Sequence, residues 1–190
     1  VNDLYVQKIK PFSIETARSY IAAVFESEEI KLTDDVTDMI IKLVGSPIPY
    51  FLAVLVTELF NHPRSTGETI TPEIVRSVFE EDLLGGSTSI TFAHYHSRLN
   101  DHYPEWENQA AKSLLRSLSR ADEDISADSL YQIFLNTLRL PHSTETEEKF
   151  TYLMNKLDND FYISCTDGKY GFFSRVLKLW WRNRFGFQKD

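Results

Sequence analysis

Apolar residues recur at helical spacing along most of this chain. Ser13 stands where a helix N-cap is wanted, and Ile14, Ala17, Ile21, Val24 and Phe25 follow on one face, which predicts a helix over 13–27. Just before it, Lys10-Pro11-Phe12 closes a short extended run carrying Leu4, Val6 and Ile9. Thr33 caps a second predicted helix. Its first turn holds Asp34 and Asp35, where the helix dipole favours them, and its apolar face is Val36, Met39, Ile40 and Leu43. Gly45 is placed as the C′ residue that ends it.

The next stretch, GSPIPYFLAVLVTE at 45–58, is the most apolar of the chain. Its apolar run falls far short of the roughly 20 residues that span a bilayer. A central strand is disfavoured, because Pro47 and Pro49 would each remove a ladder donor. A helix beginning near Pro49 fits, since proline suits the first helical position, and 50–60 then reads as a largely buried helix. Thr71-Pro72-Glu73 opens another helix in the same style, with Ile74, Val75, Val78, Phe79 and Leu83 inward, and Gly85-Gly86-Ser87 breaks it.

The second half changes character. TFAHYHSRLNDHY at 91–103 predicts an aromatic-rich amphipathic helix, and Pro104-Glu105 starts another that runs to about Ala121, with Ala110, Leu114, Leu115 and Leu118 inward. Ser126 caps a helix to Leu138, Pro141 breaks the chain, and Ser143 begins a helix to about Leu157. In FYISCTDGKYGFFS two β-rich runs, 161–165 and 170–173, flank Thr166-Asp167-Gly168-Lys169, and Asp-Gly in that place signals a hairpin. SRVLKLWWRNRFG closes the chain as a helix carrying Trp180 and Trp181. Three helices followed by a hairpin is the element order of a winged-helix domain. The division expected is a helical domain at 1–86 and a winged-helix domain at 87–190.

Composition narrows the function classes. The chain has 190 residues, 42% apolar and 25% charged, which is ordinary for a globular protein. A net charge of −8 argues against nucleic acid and anionic membranes as main partners. With one cysteine, Cys165, there is no internal disulfide framework, and a reducing, cytoplasmic setting is expected.

The chemistry-bearing motifs are few. No G-x-x-x-x-G-K-[ST] loop occurs; the one Gly-Lys pair, Gly168-Lys169, lies in the hairpin turn. No G-x-S-x-G elbow occurs either, so this chain is not expected to be an enzyme by itself. His94 and His96 are two apart, about 200° around a helix, and are not expected to share a metal. Cys165 is expected to pack as a small hydrophobe rather than act as a nucleophile. Of Trp180 and Trp181, one is expected in the core and the other over a neighbouring surface. The candidate recognition helix, from Ser143, carries Glu145, Glu147, Glu148, Asp158 and Asp160 against Lys149 and Lys156, which disfavours a DNA groove. Lys169, Arg175, Lys178, Arg182 and Arg184 give a basic C-terminal end that would meet either phosphates or an acidic protein face.

Four segments in order resemble the lid and winged-helix half of archaeal and bacterial STAND-type P-loop ATPases of the AAA+ group. The first is the run into Lys10-Pro11-Phe12-Ser13, similar to the passage from nucleotide-binding core to lid. The second is Val44-Gly45-Ser46-Pro47-Ile48-Pro49-Tyr50-Phe51-Leu52, which looks like the glycine-proline lid motif. The third, Phe92, His94, Tyr95 and Arg98-Leu99, resembles the helix linking lid to winged helix, here about 91–103. The fourth runs from Leu157-Asp158-Asn159-Asp160-Phe161-Tyr162 through Tyr170-Gly171-Phe172-Phe173-Ser174 to Leu177-Lys178-Leu179-Trp180-Trp181-Arg182, and is similar to the wing and terminal tryptophan helix.

The resemblance implies a mainly α protein: a helical AAA+ lid-like bundle, then a winged-helix domain with a small β-hairpin wing. It implies that Gly45, Pro47, Pro49 and Tyr50 lie at or near a bound nucleotide. The P-loop, the acidic Mg site and the sensor residue are missing from this chain. It would therefore be a C-terminal, non-catalytic regulatory half, or a stand-alone derivative. ATP or ADP with Mg would belong to a parent, and the first partner would be that parent's N-terminal nucleotide-binding domain. Two alternatives stand beside it. One is a DNA-binding transcription regulator. The other is a protein-docking adaptor, favoured if Tyr95, Tyr103 and Trp106 form one exposed patch.

Overall fold

Local capping chemistry begins most of the helices. Ser13 accepts from the Thr16 amide at 3.1 Å and opens α1 (Ile14–Glu26). Thr33 precedes α2 (Asp34–Val44) without a side-chain capping bond, so the acidic pair Asp34 and Asp35 serves its first turn instead. α3 (Pro49–Asn61) starts on a proline, and α4 (Pro72–Ser77) follows a capping Thr71. The structure, a computed structural model, describes residues 10–62, 69–85 and 89–187. The extended run expected over Leu4, Val6 and Ile9 and the break at Gly86-Ser87 lie outside these residues.

The described chain forms two compact units, divided between Glu80 and Glu81, ahead of the boundary expected at 86/87. The helix expected to run from Thr71 to Leu83 does so, but its second half, Val78–Leu83, is wound as a π-helix. In the first unit α2 packs on α1, α3 and α4. Ala17, Ile21, Phe25, Val36, Ile40, Leu52 and Leu55 are fully buried there, and Phe25 stacks on Phe60 at 4.5 Å. Ile14, expected on the inward face of α1, is half exposed on its first turn.

The second unit runs α5 (Ser89–His102), α6 (Glu105–Arg120), β1 (Ile125–Ser126), α7 (Ala127–Leu138), α8 (Thr144–Asn159), β2 (Ile163–Thr166), β3 (Lys169–Phe172) and α9 (Arg175–Phe185). β3 is the middle strand of an antiparallel sheet in the order β1-β3-β2. Asp167 (φ 52°) and Gly168 (φ 74°) make the two-residue turn expected of Asp-Gly between β2 and β3. β1 was not expected. Its two residues, Ile125 and Ser126, pair with Tyr170 and Lys169 and close the sheet on the α7 side. The fold is thus mainly helical with a small antiparallel sheet, as the sequence pattern required.

The core of this unit is aromatic. Trp180 and Trp181 are both buried, against the expectation that one would lie at a surface. They escape the 100° divergence of adjacent helical residues because α9 is covered on two sides. Phe92 of α5 meets Trp180 at 6.0 Å, while Tyr162 and Phe172 of the hairpin region meet Trp181 at 6.4 and 6.1 Å. A polar network ties α5, α6 and α8 together. The Tyr103 hydroxyl donates to Asp160 at 2.6 Å and is pushed far up by burial and by that carboxylate. Lys156 pairs with the buried Glu107 at 2.7 Å and lies 4.1 Å above the Tyr103 ring. Cys165, expected to be packed, is exposed near the end of β2, where the strand passes from buried Ile163 to exposed residues. Among the described residues, no helix is long and apolar enough to cross a membrane.

Candidate functional site

The glycine-proline turn joins α2 to α3 within the first unit. Gly45 takes φ 75° and ψ −111°, and its amide donates to Ile41 O at 2.9 Å, ending α2. The positive φ demands glycine here. The chain then folds tightly about Pro47, with Ile48 N–H donating to Ser46 O at 2.8 Å, an i→i+2 closure that a proline φ suits. Ile48 is extended (ψ 126°), as a residue before proline must be, and Pro49 begins α3. Pro47 O accepts the Phe12 amide at 3.0 Å, so the residue that leads into α1 is pinned to this turn.

The four expected residues differ in access. Pro47 is buried, Gly45 and Pro49 are half-buried, and Tyr50 is exposed. The Tyr50 ring stands edge-on to Phe51 at 5.2 Å, and partial burial raises its hydroxyl. Ile48 offers no side-chain acceptor to the start of α3. Pro49 has no N–H, so the first amide of α3 is that of Tyr50. That sets a positive helix end beside an exposed aromatic ring.

The basic residues of the second unit are not one patch. Arg175, Lys178 and Arg182 follow at i, i+3 and i+7 and share a face of α9. Arg182 reaches Asp122 at 3.5 Å, so part of its charge is answered within the chain. Arg184 lies half a turn from Arg175, on the side of His96 and Lys112. Lys169 is exposed at the start of β3. His96 stacks on Phe185 at 4.3 Å, and burial first, then Lys112 and Arg184, lower its affinity for a proton. Among the described residues no three His, Cys, Asp or Glu side chains are grouped to hold a metal. The exposed aromatic patch that would favour an adaptor does not form: Tyr103 is buried, and Tyr95 and Trp106 are half-buried. Among the described residues, the exposed large apolar side chains are Ile14, Tyr50, Tyr152 and Phe187.

Searches of known protein families and of curated proteins find no match to this chain. Among solved structures, a Walker-type ATPase of Pyrococcus abyssi superposes with a TM-score of 0.61 at 15% sequence identity. The match covers 92% of this chain and 43% of the ATPase, so the chain spans less than half of that protein's length. At this identity the likeness is one of fold: nearly all of this chain has the architecture of a part of a Walker-type ATPase.

Proposed function

We propose that this chain is the non-catalytic C-terminal regulatory half of a P-loop ATPase that acts in the cytoplasm. The coverage carries the reading: nearly the whole chain matches less than half of a Walker-type ATPase. The first unit acts as a lid-like bundle that closes over ATP or ADP held with Mg by an N-terminal nucleotide-binding domain. Gly45, Pro47, Pro49 and Tyr50 form the approach, Tyr50 offering its ring and the start of α3 its positive end. The fit extends no further: the described residues supply no metal cluster, and the sequence has no P-loop lysine, so phosphate and metal belong to the other domain. The second unit acts as a winged helix that passes the nucleotide state to a partner, α8 standing as its third helix and the β2–β3 hairpin as its wing. Contacts that differ between the ATP and ADP states would bias such a switch.

DNA is not the favoured partner. α8 exposes Glu145, Glu147 and Glu148 at its start, and Arg182 is engaged with Asp122. Two measurements test the reading. Calorimetry of the isolated chain with ATP should show no binding, and micromolar affinity would overturn it. The reading frame upstream of Val1 should continue through a G-x-x-x-x-G-K-[ST] loop, and a start codon at that point would remove the ATPase.

A further inference from the structure

We propose that the junction of α5, α6 and α9 is an anion site, where Lys112, Arg184 and the His96 ring together hold one phosphate group. The inference rests on the second unit alone and stands apart from the ATPase reading.

Three helices bring the donors together. Lys112 of α6 donates to Asn100 Oδ1 of α5 at 2.6 Å, and Asn108 Nδ2 donates to the same oxygen at 3.1 Å. Asn100 stands one turn after His96 on α5, so the Lys112 ammonium is held on the face of the helix that carries that ring. On α9, Arg184 adjoins Phe185, whose ring stacks on His96 at 4.3 Å. Lys112 and His96 are half-buried, while Arg184 and Asn100 are exposed, so the junction is reached from solvent.

The charge around His96 has one sign. Lys112 donates to a neutral amide, and among the described residues neither it nor Arg184 makes an ion pair. Further along α6 come Arg116 and Arg120, and α9 has no carboxylate from Arg175 to Phe185. Asp101, the one acidic residue of α5, lies about 140° round the helix from His96. Glu107 of α6 is turned to Lys156, and Asp122 to Arg182. Burial weakens the hold of Lys112 on its proton; burial first, then Lys112 and Arg184, does the same for His96. Two cations acting on a half-buried ring without a counter-charge is an arrangement that a bound anion relieves. A carboxylate offers two oxygens. A phosphate offers three, to meet an ammonium, a guanidinium fork and an imidazolium N–H. Binding and protonation are then linked. The anion offsets the two cations and raises the ring's affinity for a proton, and the protonated ring holds the anion more tightly.

Proton NMR of the histidine rings in the 190-residue chain tests this. The pH titration is run in sulfate, which stays a dianion throughout, and in chloride at matched ionic strength. The His96 midpoint should rise by about one pH unit in saturating sulfate, as proton and anion each tighten the other about tenfold. The lines of His94 and His142, exposed elsewhere, should not respond beyond the chloride control. At fixed pH, inorganic phosphate and glycerol phosphate should both move the His96 line; a response to the inorganic ion alone would assign the free ion rather than a phosphate-bearing ligand. Lys112→Met and Arg184→Met should each remove the effect. Arg184 is exposed, so its variant keeps the test open should Lys112→Met fail to fold. An affinity of about millimolar is expected, so binding that Arg184→Met abolishes is told apart from the micromolar ATP binding that bears on the ATPase reading. A His96 midpoint equal in sulfate and chloride, equal responses from His94 and His142, or an Arg184→Met variant that responds like the parent would each overturn the proposal.

Discussion

Gly45 shows how one residue governs the candidate site. At φ 75° and ψ −111° a Cβ is strained whatever space surrounds it. Gly45→Ala should destabilise the first unit by about 1–3 kcal/mol, read as a lower urea midpoint with an unchanged slope. A shift indistinguishable from zero would show that the turn relaxes without cost. Much at this scale was legible beforehand. Ser13, Ser126, Ser143 and Ser174 cap helices through their own hydroxyls, because the donor and acceptor lie within three residues of each other. Cys165, Trp181 and Ile14 were not, because their exposure depends on which other element covers them.

Among elements, the contact of α5 with α9 has a pH signature. His96 stacks on Phe185 and is held below the ordinary imidazole range, chiefly by burial and then by Lys112 and Arg184. The neutral ring is favoured in the fold, so below about pH 6.5 the unfolded chain binds more protons than the folded one. The contribution is fully present above that pH and is lost as pH falls through it. Unfolding free energy should therefore fall as pH drops below about 6.5, and His96→Phe should flatten that slope. A parent slope that is already flat would remove His96 as the cause. Element boundaries were largely readable, since helical periodicity, prolines and the Asp-Gly turn are local signals. β1 was not, because Ile125 and Ser126 become a strand only through pairing with Tyr170 and Lys169, far away in sequence. The cleft beside Trp106 was equally hidden, since its lining comes from three helices.

At the scale of the molecule, each unit has a core of its own. In the second, Phe92, Phe134, Tyr162, Trp180 and Trp181 are buried with the leucines of α6. Residues 81–190 expressed alone should fold, with one cooperative thermal transition and a native-like aromatic circular dichroism signal. A molten fragment without that signal would show that this core needs the first unit. By itself the sequence determined which segments are helical, where a hairpin turns and that these 190 residues hold no G-x-x-x-x-G-K-[ST] motif, because those properties reside in short-range spacing and residue type. Tertiary structure alone decided that the division falls within the helix at Glu80, that both tryptophans are buried, that Pro47 is tied to Phe12, and that residues of α6, α7 and α8 line one cleft. Each depends on contacts between residues distant in the chain, which packing selects and local pattern does not record.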